Sequence, residues 1–175
     1  AVETLLRTGA ANVGGLMDAR GTTPFERAVA AAYNSPLGLG GNAFHLAQTP
    51  EGPAESVFLG VFRKDALVAL GGFDETLHRA QDWDLNHRLR TAGETVWFNP
   101  ALTVTYRPRS TVGALAKQFY KTGQWRREVI ERDRSTVRLR YLVPPVAVAG
   151  LTAGAFAGLA GLFTGKRWSG AARWS

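Results

Sequence analysis

The spacing of apolar and polar residues divides most of the chain into alternating helical and strand-like stretches. Residues 2–8 read as the last turns of a helix closed by Gly9. Asn12-Val13-Gly14-Gly15-Leu16-Met17 reads as a short strand whose glycine pair lets a backbone or ligand approach closely. Thr23-Pro24-Phe25-Glu26 is a helix start: Thr as N-cap, Pro at the first helical position and Glu placed to close a capping box. That helix runs to Tyr33 and stops before Pro36. Residues 36–54 form a long loop, the kind of segment that often carries function.

Ser56–Phe62 reads as a buried strand, Arg63–Leu70 as a short helix ended by Gly71, and Gln81–Ala92 as a helix with Gly93 as its left-handed cap. Two strands, 94–98 and 102–106, are expected on either side of a turn at Asn99-Pro100. A helix capped by Ser110 then carries Leu115, Phe119, Trp125, Val129 and Ile130 among many basic residues, a mixture suited to a membrane interface. Strands interleaved with helices give an α/β domain over 1–109. A basic amphipathic helix and linker follow over 110–140, then an apolar segment over 141–163 and a short basic tail over 164–175. The chain opens inside a helix without a start signal, so a fragment is expected.

Charge changes the picture at one place. The formal net charge is +7, and residues 107–140 hold ten Lys/Arg against three Asp/Glu, so the excess is local. Tyr141–Phe163 is 23 residues long, uncharged and rich in Gly and Ala, long enough as a helix to span a bilayer. Pro144-Pro145 leaves a re-entrant segment open. The basic residues before it place 1–140 on the cytoplasmic side of the inner membrane, near anionic lipid, rather than on nucleic acid. With no cysteine there is neither a disulfide framework nor a thiolate metal site, and His45, His78 and His87 lack metal-ligand spacing.

The most telling stretch is Gly71-Gly72-Phe73-Asp74-Glu75 followed by Gln81-Asp82-Trp83-Asp84-Leu85 and Arg88. With Asn12-Val13-Gly14-Gly15, Leu59–Lys64, Tyr106–Arg109 and Gln118…Gly123–Arg127, it resembles family 2 glycosyltransferases of the succinoglycan-biosynthesis type. The resemblance covers about residues 1–145, and it implies the acceptor-side half of a GT-A fold. It also implies inverting transfer from a nucleotide-diphosphate sugar to a lipid-linked or polysaccharide acceptor. Asp82 is then the base; simple capping of the helix is the other reading. Asp84 lies about 200° further round the helix and is placed to pair with Arg88 instead.

Asp74 and Glu75 either bind acceptor hydroxyls or are solvated loop acids. Gly14 and Gly15 either flank the donor sugar or form a plain strand. Gln118, Trp125 and Arg126 resemble, in altered order and spacing, the Gln…Arg-Trp motif of processive members, which favours single-sugar transfer. A helix with Trp at headgroup level is the other reading. Arg107 and Arg109 suit phosphate oxygens or lipid, and Gly38–Gly41 suits a flexible loop by the acceptor cleft. The family's Mg2+ or Mn2+ ligands are expected upstream of this chain, so the isolated chain is expected to be inactive. A non-catalytic membrane adaptor working through residues 107–140 is the competing function.

Overall fold

The computed structural model describes residues 1–36, 43–77, 80–132, 134, 137 and 143–163. They fall in two compact units, Ala1–Asp133 and Arg134–Ser175. His78, the Gly38–Gly41 loop and the tail 164–175 lie outside the described residues.

The first unit is a mixed α/β fold on a four-stranded sheet of order β2-β4-β1-β3. The central strand β1 (Asn12–Ala19) runs parallel to β4 (Val96–Tyr106) and antiparallel to β3 (Phe58–Phe62); the two-residue β2 (Gly52–Pro53) edges β4. Side chains alternate across β1, so Leu16 joins Leu85, Leu89, Val96 and Phe98 on one face. On the other face Val13 packs with Leu5, and Met17 with Val29, Ala30 and Tyr33.

The helices follow from their local sequence. Helix α1 (Val2–Thr8) stops at Gly9, φ 68°. In α2 (Pro24–Tyr33) both halves of the capping box form: Glu26 N donates to Thr23 Oγ1 (3.2 Å) and Thr23 N to Glu26 Oε2 (3.2 Å). Short α3 (Lys64–Ala69) ends at a turn in which Gly71 and Gly72 both take left-handed φ, 73° and 77°. Helix α4 (Gln81–Thr91) and then α5 (Val112–Arg132) complete the unit.

Expectations change at several points. The strands foreseen at 94–98 and 102–106 are one strand, because the β1 ladder skips from the Gly14–Phe98 pair to Leu16–Thr103. Pro100 sits in that gap, where no ladder N–H is required of it. Within the long loop, Ala43–His45 is a 3-10 turn and Gly52–Pro53 a short strand. The α5 cap is Thr111 rather than Ser110, since Ala114 N donates to Thr111 Oγ1 at 3.2 Å.

Finally, α5 turns one face onto its own domain. Leu115 packs against the Met17–Tyr33 cluster, Phe119 meets Tyr33 edge-on (6.3 Å between centroids) and Val129 is buried. Its outer face keeps Val112, Tyr120, Lys117 and Lys121 exposed.

In the second unit α6 (Val143–Phe163) is helical. Among the described residues no helix is long and apolar enough to cross a membrane, so the span expected over 141–163 is not found there. Val146, Leu151 and Phe156 are nonetheless largely exposed.

Candidate active site

Helix α4 begins after Ala80, whose left-handed φ of 61° leaves the helix without a side-chain cap. Asp82 therefore sits in the first turn without capping it. It is exposed, and it makes no hydrogen bond or ion pair among the described residues. A first-turn carboxylate also stands where the helix dipole favours negative charge.

Asp84 is different, as its spacing foretold. Arg88 Nε donates to Asp84 Oδ2 at 2.8 Å. The same guanidinium reaches the preceding turn, donating from Nη1 to Leu70 O (2.9 Å) and from Nη2 to Gly72 O (2.8 Å). One planar fork thus joins α4 to the glycine turn that delivers Asp74 and Glu75. Below it, Asn12 Nδ2 donates to Asn86 Oδ1 (2.6 Å) and Asn86 Nδ2 to Ser56 Oγ (3.0 Å), tying the buried side of α4 to β1.

Asp74 accepts from Thr76 N (2.9 Å) and Thr76 Oγ1 (2.6 Å), and from Arg132 Nη1 on α5 (2.9 Å). The Thr76 bonds first, and Arg132 after them, hold its carboxyl below the usual range. Asp74 is therefore a loop brace, while Glu75 beside it is exposed. Arg132 also pairs with Glu128 (2.7 Å).

Trp83 and His87 stack one turn apart on α4 (5.3 Å), and the Arg126 guanidinium lies over the Trp83 ring, also at 5.3 Å. The structure thus brings Arg126 beside the residue that follows Asp82. Trp125 is partly buried on the same helix. Gln118 lies toward the other end of α5, donating to Tyr106 Oη (3.3 Å) and accepting from Arg109 Nε (2.9 Å). Gln118 and Arg126 are therefore parts of two separate clusters on α5.

Gly14 and Gly15 lie in the middle of β1, away from both clusters, and packing accounts for them. A Cβ on Gly15 would come within 1.6 Å of Leu102 O, and one on Gly14 within 2.5 Å of Val57 Cγ2. The carboxylates nearest the expected chemistry are each separate or engaged: Asp84 with Arg88, Asp74 with Thr76 and Arg132. No three His, Asp or Glu residues converge on a metal position among the described residues. These described residues do not fit a divalent ion.

Compared with known proteins, the chain is 34% identical over 154 residues to the succinoglycan biosynthesis protein ExoA of Rhizobium meliloti (strain 1021). This chain is a relative of ExoA. The match covers 88% of the chain and 46% of ExoA, so the chain spans a little under half the length of that relative. No family model and no solved structure matches it.

Sequence reasoning missed Arg88's grip on the glycine turn, Arg132's on Asp74, and the Asn12–Asn86–Ser56 chain. Only the Asp84–Arg88 spacing signalled any of these. The carbonyl acceptors leave no mark in a sequence.

Proposed function

We propose that this chain is the acceptor-side half of a GT-A-type, inverting family 2 glycosyltransferase. In this reading it transfers a sugar from a nucleotide-diphosphate donor to a lipid-linked or polysaccharide acceptor at the cytoplasmic membrane face. The observation that carries the reading is the contrast between two acids in one helical turn. Asp84 is bound by Arg88, whereas Asp82 is exposed and makes no hydrogen bond or ion pair among the described residues. The kinship with ExoA supports the same reading.

The chemistry asked of Asp82 is simple. Its carboxylate takes the proton of the acceptor hydroxyl as that oxygen bonds to the anomeric carbon, and the bond from that carbon to the nucleotide diphosphate breaks on the opposite face. Arg88, Asn86 and the Arg126–Trp83 stack hold the helix that aims the carboxylate. Donor contacts and any Mg2+ or Mn2+ ligands lie outside the described residues in this reading. Exposed Lys117 and Lys121 on α5, and the apolar exposed side chains of α6, are the surfaces offered to anionic lipid.

The test is Asp82→Asn beside Asp84→Asn in the intact enzyme, following radiolabelled sugar passed from nucleotide donor to acceptor in membranes. Asp82→Asn should lower transfer by about 10²–10⁴-fold with flotation on anionic vesicles unchanged. Asp84→Asn should retain most activity. Equal transfer by parent and Asp82→Asn ends the assignment of the base.

A further inference from the structure

The two edges of the sheet are built differently. The β2 edge is two residues long, contains Pro53 and lies between Glu51 and Glu55, features that discourage another strand from pairing there. The β3 edge has none of them. Its five residues, Phe58-Leu59-Gly60-Val61-Phe62, carry neither charge nor proline. The strand is also last in the order, so among the described residues no strand pairs with its outer side.

The backbone decides which groups face outward. Arg63 N donates to Ala11 O at 2.8 Å, and the register places Asn12 opposite Phe62 and Val13 opposite Val61. In an antiparallel ladder alternate residues bond to the same neighbour. Val61 therefore bonds toward β1, and the N–H and C=O groups of Gly60 and Phe62 point away from it. Leu59 takes a left-handed φ of 48° at the bulge between Val13 and Gly15, which ends the regular stretch. The side chains beside this row are apolar and uncovered: Leu59 is 62% exposed and Val61 39%. Helix α1 extends the surface. Val13, opposite Val61, packs on Leu5, and Arg63 Nη1 donates to Gly9 O (2.9 Å) just past the helix end. One turn apart on α1, Val2 and Leu6 are largely exposed.

An apolar strand edge left open to water invites uncontrolled association, so such an edge suits a strand that is supplied to it. ExoA is matched over 46% of its length, and more than half of an enzyme of that size lies outside the match. We propose that the outer edge of β3, with Val2 and Leu6 beside it, is the docking surface for the rest of the enzyme, which adds a strand to the sheet through Gly60 and Phe62. The occupant follows from the reading of this chain as half of a transferase; the open edge itself does not.

Amide hydrogen exchange, resolved to single residues by fragmentation mass spectrometry, compares this chain with the full-length enzyme that contains it. In the chain, Val61 should be protected and Gly60 and Phe62 should exchange freely. In the full-length enzyme Gly60 and Phe62 should slow by at least about tenfold. Leu6→Glu and Val61→Lys should lower the melting temperature of the full-length enzyme by about 3 °C or more and that of the chain by less than about 1 °C; if Val61→Lys fails to fold, Leu6→Glu decides. Asp82→Asn should leave the protection unchanged, so loss of the base assignment would leave this interface standing. Equally fast exchange of Gly60 and Phe62 in both proteins overturns the proposal, even where Asp82→Asn abolishes transfer. So does an equal effect of Leu6→Glu on both. Protection in the chain alone that grows with its concentration also overturns it, because the occupant is then a second copy.

Discussion

Replacing Arg88 separates the two jobs its guanidinium performs. The residue makes one ion pair along α4, to Asp84 at 2.8 Å, and two bonds across to Leu70 O and Gly72 O, at 2.9 and 2.8 Å. The pair is partly exposed, with side-chain exposures of 30% and 24%, and an i,i+4 pair of that kind contributes about 0.3–0.5 kcal/mol. Hydrogen bonds to a charged donor contribute about 1.5–3 kcal/mol each. Water reaches part of this site, so the low end applies. Lysine keeps the charge and can satisfy Asp84, but its single ammonium cannot reproduce the planar fork. The expected order of destabilisation is then Arg88→Met at about 3 kcal/mol, Arg88→Lys at about 2, and Asp84→Asn below about 0.5. Urea unfolding of the chain, followed by tryptophan fluorescence, measures all three. If Asp84→Asn is as damaging as Arg88→Lys, the ion pair and not the carbonyl bridge anchors the turn, and the reasoning fails.

Three further outcomes are expected. Gly15→Ala should destabilise by about 2–3 kcal/mol or more, because its Cβ meets backbone 1.6 Å away; Gly113→Ala, with open space around it, should be neutral or stabilising by about 0.5 kcal/mol in thermal melts. His45 binds its proton less readily folded than unfolded, so stability is full above the unfolded value of 6.5 and is lost as pH falls toward about 4. That loss should total about 3 kcal/mol and vanish in His45→Phe when urea midpoints are compared from pH 7 to pH 4. Glu26 is held below 4.5 by bonds from Thr22 first and Thr23 next; its contribution is present above 4.5 and lost as pH falls through the folded value, so Glu26→Gln should flatten the acid limb of the melting curve, while Thr23→Ala should remove about 1 kcal/mol.

The candidate site was legible where chemistry is local. Asp82 and Asp84 lie two positions apart in one helix, and the 3.6-residue repeat alone sent one toward Arg88 and away from the other. The helix start at Gln81 was legible, but not the way the chain reaches it. The chain enters α4 through Ala80 in the left-handed region, a choice that the sequence of a non-glycine residue does not advertise. The glycine pair of β1 was read as room for a backbone or a ligand, and Leu102 and Val57, more than forty positions away, come close there. Likewise the aromatic and basic character of α5 suggested an interface. Leu115 also meets the Met17–Tyr33 cluster, Arg126 meets α4 and Val129 is buried, while Lys117 and Lys121 stay exposed.

What the sequence determined by itself was a set of helix ends: the capping box at Thr23 and Glu26 and the left-handed stops at Gly9 and Gly93. Those features depend on backbone entropy and on hydrogen bonds within a few residues, so neighbours in the chain suffice to encode them. Tertiary structure alone merged 96–106 into one strand across Pro100, gave Arg88 its two carbonyl acceptors, and enclosed His45. Each of these turns on which distant backbone comes within about 3 Å, a distance that hydrogen bonding and close packing read directly and that residue order does not state.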